Sequence, residues 1–571
     1  MWCRNCNIEL NDHQCPICGE TTTEDIPTDI YWCDECRVPI ISMTSQADKG
    51  ICPRCGGKTR YMATDIRPVF PEERLLLEIL LGKEPLSCIE KSVWATNSRY
   101  YIDGESIPLS SALFQKADAV AISNTISAHM KDNNYLFFNK FIQAFVEANK
   151  PRLNFIKDEA YHFITKEASK FPKENIVVSF SGGKDSTATA DLVIKSLSNP
   201  SVVHIFGDTT LEFPSTIEYA KRYRDDHPYA IFKVARNNEQ NFMDVCEDIG
   251  PPARMMRWCC SMFKTGPITR VINSFYKNQQ ILTFYGIRKS ESVSRSKYNR
   301  VEDDSSSVKI QQQTVASPIF FWKDADVWLY LLGENVDFNH AYRLGYDRVG
   351  CWCCPNNNQR VQFLSRIYMP TQSAQWRDFL ILFAKKIGKP DPDVYVDEGK
   401  WKARQGGNGL PSARDVKLKF SNCTSEEHAK IYSLTKPFND ELIGMFVPFG
   451  KIAPDLGQKL LREIIVLDVK TKVPILSIQP FSNDNYEYSV KVKTINVADH
   501  DDLQRMVGYQ IRKFNACRQC LKCESLCKSG AISITSSTYY IDPRKCVHCK
   551  MCMTAKYLDG GCMMDKYLRT R

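Results

Sequence analysis

The sequence predicts a multidomain α/β protein in which a central parallel sheet is flanked at both ends by small cysteine-rich modules. Three observations lead there. Strand-like and helix-like segments alternate through the middle of the chain, and such alternation builds parallel sheets. A short apolar, β-branched run, Ile176-Val177-Val178-Ser179-Phe180, enters the turn Ser181-Gly182-Gly183 and then a helical stretch from Thr187 to Leu197. Cysteine is concentrated at the two ends: of 24 in 571 residues, eight lie before residue 56 and eight after residue 516.

The length predicts roughly three to five units at about 100–200 residues each. Hydrophobic residues at 43% and charged residues at 25% are ordinary for a globular protein and exclude a disordered or fibrous one. No run of about 18 apolar residues occurs, so no transmembrane helix and no membrane partner are expected. Met1-Trp2-Cys3-Arg4-Asn5-Cys6 has no apolar signal segment, so a cytoplasmic location is expected. In that compartment clustered CxxC pairs mean metal sites rather than disulfides.

Residues 1–70 carry four such pairs. Cys3 and Cys6 are followed by Cys15 and Cys18, and Cys33 and Cys36 by Cys52 and Cys55. Each CxxC turns two sulfurs toward one ion, and two such knuckles supply the closed tetrahedral set that zinc prefers. Two zinc ribbons with two structural Zn²⁺ are expected, rubredoxin-like iron being the alternative. Ribbons of this size dock nucleic acid (tRNA or DNA) or protein, or act as structural caps.

Residues 511–571 read Cys517, Cys520, Cys523 and Cys527, then Cys546, Cys549, Cys552 and Cys562. This spacing resembles the two-cluster bacterial ferredoxins, an α+β fold in which the fourth cysteine of each run ligates the other cluster. The resemblance implies Cys517, Cys520, Cys523 and Cys562 for one 4Fe–4S cluster, and Cys546, Cys549, Cys552 and Cys527 for the second. Short strands around Ala531–Ile534 and Tyr539–Ile541 suit that fold. Lys528 stands where the family has proline, and the last cysteine gap is long.

The chemistry is expected in residues 151–365. In Ser181-Gly182-Gly183-Lys184-Asp185-Ser186, between a strand and a helix N-terminus, the glycines let backbone N–H groups approach phosphate and the helix dipole favours negative charge. This resembles the PP-loop of the adenine-nucleotide α-hydrolases. Downstream come Asp208-Thr209-Thr210-Leu211-Glu212-Phe213-Pro214, Arg257-Trp258-Cys259-Cys260 with Lys264 and Pro267, Gly286-Ile287-Arg288-Lys289-Ser290-Glu291-Ser292 with Arg295, Trp322-Lys323-Asp324-Ala325-Asp326-Val327-Trp328, and Gly350-Cys351-Trp352-Cys353-Cys354-Pro355. In this order they resemble the phosphoadenylyl sulfate (PAPS) reductase family, which includes adenylyl sulfate reductases and the DNA phosphorothioation PP-loop enzyme. The resemblance implies that Ser181–Ser186 and Asp208 bind the nucleotide, with Mg²⁺, and that Lys184, Asp185, Lys264, Arg288 and Arg295 form the catalytic set. It also implies a third 4Fe–4S cluster on Cys259, Cys260, Cys351 and Cys354, with Cys353 spare. A tetracysteine zinc site is the alternative there.

The remaining segments say less: 71–150 reads as a small adapter, 366–430 as a helical extension, and 431–510 as a small α+β unit. The formal charge of +9 does not call for nucleic acid. Two zincs and three clusters on thiolates, at about −2 per site, bring the total near zero.

Two enzymatic readings follow, both using electrons from the C-terminal module. In the favoured one, ATP adenylates a substrate oxygen with release of pyrophosphate, and sulfur then displaces AMP. A cysteine desulfurase or other sulfur donor and an external electron donor are the expected partners. In the alternative, adenylyl sulfate or PAPS is cleaved reductively to sulfite. The intact SGGKDS loop and the lack of a Glu-Cys-Gly motif (Cys423 sits in Asn422-Cys423-Thr424) favour the first. A nucleotide-sensing scaffold is the non-enzymatic reading.

Overall fold

The computed structural model describes residues 2–3, 8–9, 14–19, 28–42, 50–96, 99–108, 114, 117–276, 279–293, 295–303, 313–483, 485–555 and 558–569. Its centre is a six-stranded sheet. Read across in space, the strands are Ile231–Arg236, Val203–Asp208, Ile176–Phe180, Ile281–Phe284, Gln313–Ala316 and Val301–Glu302. The first five are mutually parallel and the short last one is antiparallel. Val177, Val178, Ile281, Leu282 and Phe284 are fully buried, as expected for parallel strands covered on both faces.

From Ile176–Phe180 the chain first builds outward through 203–208 and 231–236, then returns to add 281–284 on the other side. The strand order therefore reverses between Ile176–Phe180 and Ile281–Phe284. A crevice opens at such a reversal, beyond the carboxyl ends of the strands. The SGGKDS turn and the Gly286–Arg288 turn both leave strands at that point. The helix after the glycine turn is Lys184–Leu197, three residues longer at its start than the sequence suggests. Lys184 and Asp185 thus belong to its first turn.

The N-terminal segment packs on one side of this sheet. Ile30–Cys33, Val38–Ile41 and Thr59–Ala63 form a three-stranded antiparallel sheet. Its core is continuous with that of the parallel sheet through Trp32, Phe145 and Ile156. Arg67–Pro68, Val93–Ala95, Arg99–Ile102 and Glu105–Pro108 form a second small antiparallel sheet. Glu73, fully buried on the helix Pro71–Leu80, ties it to the centre by accepting from Arg67, Tyr100 and Arg360.

On the other side lies a six-stranded antiparallel sheet spanning 420–494, with Phe420–Asn422 and Lys451–Ala453 as its edges. Its hairpin 420–434 runs across the division at 430 suggested by the sequence. The helix His500–Ala516 then leads to Cys517. The C-terminal segment adds Ile532–Ile534 paired antiparallel with Tyr539–Ile541. One core runs from Leu211 and Trp258 through Trp376 and Val466 to Ile532 and Leu568, so this segment is packed into the body of the molecule.

Candidate active site and metal centres

The glycine turn is closed on itself. The backbone N–H of Ser181 donates to Ser186 Oγ at 3.1 Å, and Ser186 Oγ–H donates to the Gly183 carbonyl at 2.9 Å. Gly182 adopts φ +69°, and a Cβ there would meet Thr216 Cγ2 at 2.9 Å. Asn339 holds the turn from behind, donating to the Gly182 carbonyl at 3.2 Å and to Thr216 Oγ1 at 2.8 Å. Gly183 caps the helix and offers no side chain to the free N–H groups, so they remain available to an anion. The Lys184 N–H is not among them, being held by the Tyr342 hydroxyl oxygen at 3.0 Å.

Over this turn sits a buried group of alternating charges. Lys184 Nζ lies 3.4 Å from Asp185 and 3.2 Å from Asp324. Arg288 donates through Nε to Asp185 at 2.5 Å and through Nη2 to Asp324 at 2.8 Å. Burial opposes the charges of Lys184, Asp185 and Arg288, and pairing outweighs it. Asp185 is held at about 2, because Arg288 and Lys184 overcome its desolvation. Lys184 and Arg288 are both held above their ordinary values by Asp185 and Asp324.

Asp65, from the segment after the N-terminal cysteines, joins from outside. Its carboxylate accepts from the N–H groups of Asp324 and Ala325 at 3.1 and 3.0 Å, and burial, then Asp324, pushes it up to about 6. Arg295 pairs with Glu291, and its pKa is lowered by burial and next by Arg348. Asp208 ends its strand, accepting from the Thr210 N–H at 2.8 Å and facing Arg236 at 3.5 Å.

Asp324, Asp65, Tyr342, Asn339 and Gly286 are not among the candidates read from the sequence. Asp324 and Gly286 do stand inside the Trp322–Trp328 and Gly286–Ser292 motifs, and that is the signal that could have found them. A Cβ on Gly286 would lie 2.5 Å from the Asp185 carbonyl carbon, so this glycine lets the two turns touch.

The central cysteines gather beside the same crevice. Cys259 and Cys260 lie in a turn that runs into a wide helical turn, Ser261–Thr265. The Cys351 loop is stitched to the loop after Asp208: the Trp352 N–H donates to Leu211 O at 2.9 Å, Glu212 pairs with Cys351, and Thr209 Oγ1 lies 3.5 Å from Cys351 Sγ. Cys353 is buried in the core beside Cys246. Cations surround the set. Arg257 reaches Cys260 Sγ at 3.4 Å, the exposed Lys264 acts on Cys260 and Cys351, and Lys402 lies near Cys354. Burial, then Glu212, pushes the Cys351 thiol up to about 12.

In the N-terminal module the Sγ atoms of Cys33, Cys36, Cys52 and Cys55 all lie within 4.8 Å of one another. Cys33–Cys55 is 3.5 Å and Cys36–Cys52 3.8 Å. Four sulfurs at about 2.3 Å around one tetrahedral ion stand about 3.8 Å apart, so the set fits a single ion such as zinc. Among the described residues no other His, Cys, Asp or Glu group is that compact. For the first quartet, Cys15 and Cys18 flank a turn with the Gly19 N–H on Cys15 O at 2.8 Å, and Cys3 lies in a strand pairing with Ile8–Glu9. Cys6 and the side chain of Cys3 lie outside the described residues.

At the other end the cysteines cross between runs. Cys562 neighbours Cys517, Cys520 and Cys523, while Cys527 neighbours Cys546 and Cys552. Burial and mutual repulsion push the thiols of Cys517 to about 12 and of Cys562 to about 11. Lys513, only 1% exposed, lies among both groups, with Nζ donating to Cys552 O at 2.5 Å. A buried ammonium needs anionic surroundings, which metal-bound thiolates supply.

A glycine turn at the reversal point of a parallel sheet, with buried Lys and Arg over it and thiols beside it, is the arrangement of a PP-loop-like nucleotide domain. Residues 175–357, about a third of the chain, match the phosphoadenosine phosphosulfate reductase domain. The chain carries a domain of that family. An uncharacterised protein of Methanocaldococcus jannaschii is 33% identical over 257 residues, 45% of this chain and 51% of that protein. An adenosine 5'-phosphosulfate reductase of Staphylococcus epidermidis is 26% identical over 199 residues, 34% of this chain and 74% of that enzyme. The chain spans about half the length of the first of these. Among solved structures, a phosphoadenylyl-sulfate reductase from Candida auris aligns with a TM-score of 0.28 at 17% identity, covering 35% of this chain and 95% of that one. No helix among the described residues is long and apolar enough to cross a membrane.

Proposed function

We propose that the central domain performs ATP-dependent sulfur chemistry: adenylation of a substrate oxygen with release of pyrophosphate, followed by sulfur transfer. The observation that carries this is the intact, uncapped turn Ser181–Ser186, with Lys184 and Arg288 buried over it. The free N–H groups of the turn and helix take the phosphate oxygens. On binding, Lys184 and Arg288 exchange their carboxylate partners for phosphate oxygens, a change of anion at constant charge. That frees Asp185 and Asp324 for the accompanying Mg²⁺, which typically takes one or two carboxylates. Arg295 supplies a further donor at the rim, and the loop from Asp208 to Glu212 links the nucleotide crevice to Cys351.

Cys259, Cys260, Cys351 and Cys354 would hold one 4Fe–4S cluster and the eight C-terminal cysteines two more; these groups supply electrons. The crossing of Cys527 and Cys562 supports that reading of the C-terminal module as a two-cluster ferredoxin. Cys33, Cys36, Cys52 and Cys55 would hold Zn²⁺, and Cys3, Cys6, Cys15 and Cys18 a second.

Reductive cleavage of adenylyl sulfate or PAPS to sulfite is the second reading, favoured by the activity named for the Staphylococcus epidermidis relative. Anaerobic incubation with ATP, with adenylyl sulfate and with PAPS separates the two. Pyrophosphate and AMP from ATP in the presence of a sulfur acceptor are expected. Sulfite from a sulfonucleotide, with no pyrophosphate from ATP under any acceptor, would overturn the first reading and establish the second.

A further inference from the structure

The C-terminal module contains the same loop twice. In Cys517-Arg518-Gln519-Cys520-Leu521-Lys522-Cys523 the third and fifth residues are left-handed, Gln519 at φ 48° and Leu521 at φ 62°. In Cys546-Val547-His548-Cys549-Lys550-Met551-Cys552 the same positions are left-handed again, His548 at φ 55° and Lys550 at φ 61°. Each loop runs into a short helix, Lys522–Leu526 and Met551–Thr554. The backbones match and the surroundings do not.

The first loop is covered. Cys520, Leu521, Lys522 and Cys523 are all under a tenth exposed. Leu521 fills the space where Gly266 lacks a side chain, since a Cβ there would stand 2.6 Å from Leu521 Cβ. That puts the loop against the helix that follows Cys259 and Cys260. The seal is ionic and one-sided in sign: Arg518 pairs with Asp248 at 2.5 Å and with Asp415 at 2.6 Å, so a cation of this loop meets carboxylates of its partner.

The second loop is open. Val547 is 65% and Met551 40% exposed, and Cys549 is exposed. Basic side chains border it: Arg544, whose side chain is 88% exposed, Lys545 and Lys550. Asp542, which pairs with Arg544, is itself buried, and His548 turns inward to Val447 O at 2.9 Å. The face therefore presents an apolar centre, a metal-ligand cysteine and a cationic rim. It is the twin of the loop that already receives an acidic surface.

We propose that the face formed by residues 544–551 docks an acidic one-electron carrier protein. This fixes the direction of the module: electrons enter at the Cys546, Cys549, Cys552 and Cys527 end and leave at the Cys517, Cys520, Cys523 and Cys562 end, toward Cys259 and Cys260. One electron passes per encounter. The carrier is oxidised, the acceptor centre is reduced, and no bond is made or broken. A cationic rim meeting an anionic partner raises the encounter rate by about 10–10³-fold, and salt screens that gain. The proposal rests on the two-cluster reading of the C-terminal module.

The test uses the full-length, iron-loaded protein and the double variant Arg544→Glu/Lys545→Glu. Iron content and EPR come first; absence of the C-terminal clusters in the wild type would overturn the two-cluster reading itself, separately from the docking face. Reduction is then followed by stopped-flow absorbance with a purified acidic bacterial ferredoxin, and in parallel with the reduced methyl viologen cation. The variant should be reduced by ferredoxin at least tenfold more slowly at low salt, lose most of the salt dependence and bind ferredoxin more weakly in a pull-down, while the viologen rate does not fall. Unchanged ferredoxin rates and salt dependence in an iron-replete variant would overturn the proposal. So would wild-type self-association that the variant abolishes without change in carrier rates, an outcome that assigns the face to a second copy of the chain.

Discussion

Gly286 lies so close to Asp185 that a single added methyl group would stand 2.5 Å from the Asp185 carbonyl carbon and 2.7 Å from the Ser186 nitrogen. These atoms are backbone in the first turn of the phosphate-facing helix, so a side chain there cannot be absorbed by a rotamer change. The contact joins the carboxyl ends of two neighbouring parallel strands and sets where Arg288, two residues on, can reach.

Gly286→Ala should therefore displace the glycine turn at a cost typical of overpacking, about 1–3 kcal/mol. The expected outcome is at least tenfold weaker ATP binding by calorimetry, with the far-UV spectrum and iron content unchanged. Arg288→Ala should weaken binding by one charge-assisted contact, roughly 1.5–3 kcal/mol. Tight ATP binding in Gly286→Ala would show that the turn tolerates displacement.

Asp65 titrates at about 6, above its ordinary value, because burial and then the nearby Asp324 disfavour its charge. A carboxyl whose folded pKa is raised binds more protons folded than unfolded between about pH 4 and 6. Its contribution is full below that window and is lost as pH rises through about 6. Asp65→Asn removes the titration, so the difference in melting temperature, wild type minus Asp65→Asn, should fall as pH rises from 4 to 6.5. A difference that stays flat over that range would show that Asp65 is already ionised.

The cysteine groups predict a brown protein with about twelve irons and two zincs. Eight irons with three zincs would place zinc at Cys259, Cys260, Cys351 and Cys354 and remove the argument for a redox centre beside the nucleotide. Cys52→Ser should lose one zinc and no iron, because its sulfur belongs to the compact N-terminal quartet. Elemental analysis by mass spectrometry reads all three outcomes.

Lys513 is buried among thiols of both C-terminal groups. A fixed cation there stabilises the more negative, reduced state of a bound cluster. Lys513→Met should shift the reduction potentials of both clusters downward in an EPR-monitored titration. Potentials unchanged from wild type would show that solvent, and not Lys513, balances the charge.

Features that depend on residues close together along the chain were legible before folding was considered. CxxC spacing, the strand–glycine–helix turn and the alternation of strands and helices are local. From them came the parallel sheet, the Cys33–Cys55 quartet and the crevice turn. Tertiary structure alone decided what depends on strand order. Asp65 caps Asp324 across 259 residues, and Tyr342 reaches Lys184 across 158. No local periodicity marks such partners, because they meet only after the sheet reverses direction and stacks its turns at one edge. The same holds for the duplicated C-terminal loop: its two copies are alike in spacing, and only packing against Gly266 covers one and leaves the other open.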